Sequence, residues 1–172
     1  RRDMDVGPEI ESLRAYLSAR KYRGYDPYDA LNSPLIRLLT FGAKYGRIAW
    51  TQFFRRFPIN LRPLLLFPRN HNPMAIGLFL WGVAKLHRLD PRDTTLAEIR
   101  GLLELLARLR SPGFSGSCWG YDFAWQSRTF YLPAFTPTIV TTAFNGHALL
   151  DTYEATGLYQ ALAMALDTRD FL

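Results

Sequence analysis

Apolar residues recur at helical spacing along most of the chain. From Pro8 to Arg23, Ile10, Leu13, Tyr16 and Leu17 fall on one face, and Gly24 follows as a stop. After a polar and aromatic connector, Tyr25–Asn32, Ser33 and Pro34 supply an N-cap and a first helical residue. The pattern then predicts a second helix to about Phe57, with Gly42 and Gly46 in its middle permitting close packing or a bend. Pro58, Pro63, Pro68 and Pro73 divide the next section, in which Leu61–Phe67 reads as a short buried helical turn. Asn72 caps a third helix, Pro73 to about Leu89, which is apolar on most sides and is expected at the centre of the fold. Asp93–Arg110 is amphipathic through Leu96, Ile99, Leu103, Leu106 and Leu109, and Ser111-Pro112-Gly113 stops it. Residues 114–137 follow neither helical nor strand period. Thr138–Thr156 returns to helix and ends at Gly157, and a last helix begins near Leu158 and runs unfinished to Leu172.

The rhythm of helix, loop and helix predicts an all-α chain, a single domain over residues 1–172. Helical hairpins whose long aromatic loops gather on one rim account for it. At this length a chain buries about 70% of its unfolded surface, which is enough for a core. With 48% hydrophobic and 15% aromatic residues the composition excludes a disordered chain. The longest apolar run, Pro73–Ala84, is too short to span a bilayer. The lone cysteine, Cys118, excludes an intrachain disulfide and leans towards a reducing compartment. The expected location is cytoplasmic, extending to the inner-membrane surface.

Charge adds one asymmetry. The net charge is +6, and no acidic residue occurs between Asp29 and Asp90, where Arg37, Lys44, Arg47, Arg55, Arg56, Arg62, Arg69, Lys85 and Arg88 lie. Such a block makes a positive face for an acidic protein or an anionic membrane, or a solvated helix surface whose acids sit elsewhere in the fold.

Candidate chemistry concentrates in Ser117–Arg128, where aromatic rings alternate with a few polar groups. That mixture suits a sugar or another polar organic ligand. Trp119, Tyr121 and Trp125 are the candidate stacking residues, and the alternative is that they plug the middle of the helical arc. Gln126 and Arg128 are candidates to hold hydroxyls or a carboxylate, Arg128 alternatively pairing with Asp122. Asp122 is the candidate catalytic carboxylate. Tyr25, Asp26 and Asp29 lie in the other aromatic connector, and Asp29 would face Asp122 if the two loops share a rim. Asp-Pro-Tyr-Asp is equally an ordinary turn. His147 and Asp151, four residues apart on the helix after Pro137, form a candidate base and its orienting carboxylate, with Asn145 close in register as a further binding residue. The alternative for His147 is a hydrogen-bonded interface histidine. One cysteine and three scattered histidines lack the spacing of a zinc site, and neither a P-loop nor a dinucleotide fingerprint is present. No metal or cofactor is therefore expected, and nucleic acid is not among the expected partners.

The segments Gly24–Pro34, Pro58–Pro63, Cys118–Tyr121, Trp125-Gln126, Thr136–Val140 and Ala148–Asp151 resemble an uncharacterised group of bacterial proteins found with exopolysaccharide and surface-glycan biosynthesis. The resemblance covers most of the chain. It implies an (α/α) toroid, the architecture of terpenoid cyclases, prenyltransferases and six-hairpin glycosidases, of which this chain would be an incomplete, N-terminal portion. It implies an oligosaccharide or lipid-linked glycan as partner, and a hydrolase, lyase or epimerase if the protein is an enzyme. A helical scaffold and a terpenoid-cyclase-like enzyme are the alternatives, the latter without the expected acidic motif. The group carries an acidic residue immediately before its second tryptophan, where this chain has Ala124.

Overall fold

A computed structural model describes residues 7–172. Seven α-helices are found among them: α1 (Gly7–Ala19), α2 (Pro34–Leu39), α3 (Lys44–Arg56), α4 (Pro73–Leu89), α5 (Asp93–Arg108), α6 (Ile139–Thr156) and α7 (Tyr159–Asp167). A 3-10 turn at Asp29–Asn32 precedes α2. The strands β1 (Trp125–Gln126) and β2 (Tyr131–Leu132) make a two-residue antiparallel hairpin, with Trp125 opposite Leu132 and Gln126 opposite Tyr131. The chain is all-α.

Short loops make α4 and α5, and α6 and α7, consecutive hairpins, and α4 packs along α6. Their apolar faces build the main core around Ile76, Leu80, Ile99, Leu103, Leu149 and Met164. A second, smaller core gathers Ala30, Ile36, Phe54 and Phe67, with Trp50 and Leu61 packed against it.

Capping sets the start of the central helix. Asn72 accepts a hydrogen bond from the Met74 amide, and Pro73 takes the first helical position. Thr138 caps α6 in the same way, and Gly157 ends it in the left-handed conformation at φ 68°. Inside the α4–α6 contact, Gly77 lies directly against Asn145. A Cβ at Gly77 would overlap Asn145 Oδ1 and come within 2.9 Å of its Cγ.

Several boundaries differ from those the sequence predicts. The first helix ends at Ala19, because Lys21 and Tyr22 turn into positive φ. The expected single helix from Ser33 to Phe57 is broken at Thr40–Ala43, where Phe41 (φ 46°) and Gly42 (φ 71°) turn the chain, so Gly42 marks a bend, while Gly46 lies inside α3 and packs closely against the Thr40 carbonyl. Leu61–Phe67 is a series of hydrogen-bonded turns that buries Phe67 but leaves Leu64 and Leu66 outside. The last helix stops at Asp167 and is followed by a 3-10 turn, Thr168–Asp170, so it is complete within the chain.

The Gly77–Asn145 contact yields a signed prediction. At an open helical site, glycine to alanine gains about 1 kcal/mol. Gly77→Ala is instead expected to lose about 1–3 kcal/mol through overpacking. In an Asn145→Ala background the same substitution should stabilise, as read from urea unfolding midpoints.

Candidate functional site

The two aromatic connectors meet at the first turn of α4. Gly24 and Asn70 exchange backbone hydrogen bonds of 3.0 and 3.2 Å, which ties the first connector to the residues before α4. Asp26 is held at both oxygens. Its Oδ1 accepts from the Tyr28 amide at 2.9 Å and its Oδ2 from Asn72 Nδ2 at 3.1 Å. Asn72 thereby caps α4 with its carbonyl and fixes the loop with its amide. Asp29, buried beneath the turn, accepts from Arg62 Nε at 2.9 Å and from the Asp26 amide at 3.1 Å. Arg62 also donates to the Asp26 carbonyl at 3.0 Å. Burial outweighs these bonds for Asp29 and raises its carboxyl above the usual range.

The second connector is pinned at both ends. Trp119 Nε1 donates to the Leu106 carbonyl at 2.9 Å, and its backbone amide donates to Thr142 Oγ1 at 3.1 Å. Residues 119–121 then run beside 135–138, with Thr138 and Phe135 amides donating to the Trp119 and Tyr121 carbonyls. The two segments approach closely enough that a Cβ at Gly120 would overlap the Thr136 carbonyl. The β hairpin beyond is closed by Gln126, whose Nε2 donates to the Ser127 and Phe130 carbonyls at 2.9 and 3.0 Å. Arg47 of α3 lies 4.4 Å over the Tyr131 ring and donates to Gln126 Oε1 at 3.4 Å.

Between the connectors lie two adjoining clefts, which share Asp26, Asn72 and Ala75. One, of about 420 Å³, is lined by Asp26, Tyr28, Asn72, Tyr121, Phe123 and Trp125 among others. The other, of about 390 Å³, reaches Tyr25, Asn70 and Asp122. Both volumes fall in the range of small-molecule sites. Tyr121 stacks on Phe123 at 5.2 Å, and Trp125 meets Phe130 edge-on at 5.5 Å, so the aromatic wall is braced. A wider groove of about 740 Å³ runs between α1 and α5, but its Arg14 is already paired with Glu98 and Glu11.

Asp122 is the electrostatic anomaly of the site. It is buried, and its Oδ1 has no hydrogen-bond partner. Burial first, and then the charges of Asp26 and Asp29, push its carboxyl up to about 6, against the opposing pull of its own backbone amide and of Asn70. A carboxyl in this setting holds a proton well into the range where ordinary carboxylates have lost theirs.

The sequence candidates thus separate into two groups. Tyr25, Tyr121, Trp125 and Asp122 come together at the clefts. Trp119 does not join them, because it is fully buried in the main core, its ring pointing to α5. Asn145 is likewise removed from the site, sealed against Gly77 with its amide unpartnered. Asp29 is committed to Arg62, so Asp26 is the carboxylate of the first connector that lines the clefts. Gln126 is buried and spent on the hairpin. Arg128 sits exposed in the hairpin turn and makes no ion pair with Asp122. His147 is exposed on α6, and Asp151 serves Trp81 Nε1 and Lys85 (3.8 Å) instead, so the proposed base and carboxylate do not form a pair. Tyr28, Asn70, Asn72 and Phe123 belong to the site and were not among the sequence candidates. Asn72 carried a signal, its place before Pro73, but that signal reports only a helix cap. Among the described residues no cluster of three or more metal-ligating side chains occurs, and no helix is long and apolar enough to cross a membrane.

Two measurements follow from this geometry. Arg62→Met should cost about 3–5 kcal/mol, since it leaves the Asp29 carboxylate buried without its cation. Pairing it with Asp29→Asn should recover much of that loss in thermal or urea unfolding. For Asp122, the folded chain keeps a proton that the unfolded chain releases above its ordinary value of 3.8. Its contribution is complete below that value and is lost as pH rises through about 6. The stability of the native protein relative to Asp122→Asn should therefore fall across that window, by up to about 3 kcal/mol. A difference that stays flat with pH would remove Asp122 as the group responsible.

No known protein family matches this chain, and no curated protein or solved structure shows significant similarity to it.

Proposed function

We propose that the paired clefts at the start of α4 bind a saccharide. The observation that carries this reading is the composition of one wall pair: the rings of Tyr28, Tyr121 and Trp125 stand around the fixed polar groups of Asp26 and Asn72. Ring faces take up the C–H faces of a sugar, while a carboxylate and an amide select its hydroxyls. Asp26 is already oriented by Tyr28 and Asn72, so ligand binding needs little further ordering of that carboxylate. Asp122 supplies a hydrogen-bond donor in its protonated form, and it is the residue from which a proton would pass to a leaving oxygen if the ligand is also processed.

The resemblance of the connector segments to proteins of bacterial surface-glycan assembly supports the same ligand class. The consecutive hairpins α4–α5 and α6–α7 suit the repeating unit of the toroid that this resemblance implies. In that reading the chain acts on glycan during polysaccharide assembly.

Intrinsic tryptophan fluorescence, titrated with neutral and acidic oligosaccharides, tests the proposal directly. Saturable binding is expected, weakened about tenfold by Tyr121→Ala, in keeping with the loss of one well-placed aromatic contact. Trp125→Ala should weaken it comparably by calorimetry, and salt should have little effect. A folded protein that binds no saccharide, or whose binding ignores both substitutions, overturns the reading.

A further inference from the structure

The break between α2 and α3 does more than turn the chain. Ile36 and Thr40 are buried and anchor the segment, while Leu38 (69% exposed), Phe41 (87%) and Tyr45 (79%) stand in solvent around them. Leu35 and Leu39 are exposed as well. Phe41 sits at φ 46°, a conformation that disfavours any side chain but glycine. The turn is nonetheless held: the Phe41 amide donates to the Leu38 carbonyl at 3.1 Å, the Ala43 amide to the Thr40 carbonyl at 2.8 Å, and Thr40 Oγ1 to the Arg37 carbonyl at 2.8 Å. Local bonds therefore hold an aromatic ring outward in a strained backbone, at a place where no protein surface covers it.

A second exposed apolar turn lies at the opposite, N-terminal end of α2. Ser33 Oγ, which caps α2, donates to the Leu65 carbonyl at 2.7 Å. That bond brings Leu64 (76% exposed) and Leu66 (61%) to the base of α2, and Leu66 is also at positive φ. Leu35, Leu38, Leu39, Phe41 and Tyr45 are exposed within one eleven-residue stretch, a closer grouping than singly scattered surface residues.

What could cover this surface is narrowed by charge. Arg37 and Lys44 flank the tip and are exposed, and no acidic residue occurs from Ala30 to Leu89. A surface of leucine and phenylalanine flanked by two cations, on a segment without acids, complements an anionic lipid headgroup layer above acyl chains. We propose that the α2–α3 tip inserts into the interface of an anionic bilayer, and that Arg37 and Lys44 bind its headgroups. This docking surface is separate from the saccharide clefts and does not rest on them.

Co-sedimentation with phosphatidylglycerol-containing vesicles, compared with pure phosphatidylcholine vesicles, tests it. Binding to the anionic vesicles is expected, with about tenfold or greater weakening in Arg37→Glu/Lys44→Glu and on raising salt. Leu38→Ser/Phe41→Ser should abolish insertion, read as loss of vesicle binding with an unchanged circular dichroism spectrum. Because Leu38 and Phe41 are exposed, folding should survive the change. Failure of the folded protein to bind anionic vesicles, or binding unaffected by Leu38→Ser/Phe41→Ser, overturns the proposal. So does self-association in the absence of lipid that the same double substitution dissolves, which would assign the surface to a second copy of the chain.

Discussion

Arg62 and Asp29 make the contact on which the candidate site rests. Asp29 lies under the first aromatic connector, where a carboxylate has almost no access to water, and Arg62 reaches it from the turns that follow α3. The same guanidinium holds the Asp26 carbonyl, Asp29 holds the Asp26 amide, and Asn72 holds the Asp26 carboxylate while capping α4. A single chain of bonds thus runs from the smaller core to the first turn of the central helix. A buried ion pair of this kind contributes little net stability compared with apolar packing, but it is strongly selective for one geometry, since each partner is costly to leave alone. Its effect here is to set where Asp26 stands relative to α4.

The opposite wall is made differently. Residues 109–138 carry almost no regular structure, yet Trp119 fastens them to α5 and α6 by ring burial and two hydrogen bonds, and Gly120 lets the chain run tightly against Thr136. The tryptophan that looked like a ligand contact is thus what makes the cleft wall rigid. Tyr121, Phe123 and Trp125 follow on a fixed base, and Asp122 is carried into a place too dry for its charge and too close to two other carboxylates. Its raised pKa is a consequence of where Trp119 and the Arg62 network put the two loops, and neither loop alone would produce it.

Charge is partitioned across the fold in a way that matches these two surfaces. The carboxylates Asp26 and Asp122 line the clefts with Asp29 beneath them, while the α2–α3 tip carries only cations among its exposed leucines and phenylalanine. Arg47, at the start of α3, lies beside Gly42 of the turn and stacks on Tyr131 of the hairpin. The helix that carries the tip is therefore also in contact with the loop that carries the aromatic wall.

Helical periodicity, caps and stop residues were enough to place α4 at its observed boundaries, to locate α5 and α6 within two residues, and to exclude a sheet protein, because these features depend on neighbours within a turn or two of chain. The same local signals could not distinguish Trp119 from Trp125. Both lie in one aperiodic stretch, and only packing against α5 and α6 decides that one ring is core and the other cleft. Nor could they separate Asp26 from Asp29, which share a turn but differ in which of them meets Arg62, more than thirty residues away. The pairing of His147 with Asp151 was legible as a helical spacing and was overruled because Asp151 faces α4, where Trp81 and Lys85 claim it. Gly42 permitted a bend in the expected second helix but did not require a break, because apolar residues continue through it at helical spacing and the turn is held by bonds that periodicity does not record. What the sequence by itself determined was the all-α class, the central helix and the acid-free segment, all properties of local order and composition. Which side chains line the clefts, which carboxyl keeps its proton and which apolar residues stay uncovered were decided by contacts between distant segments, since burial and charge proximity exist only once the chain has folded.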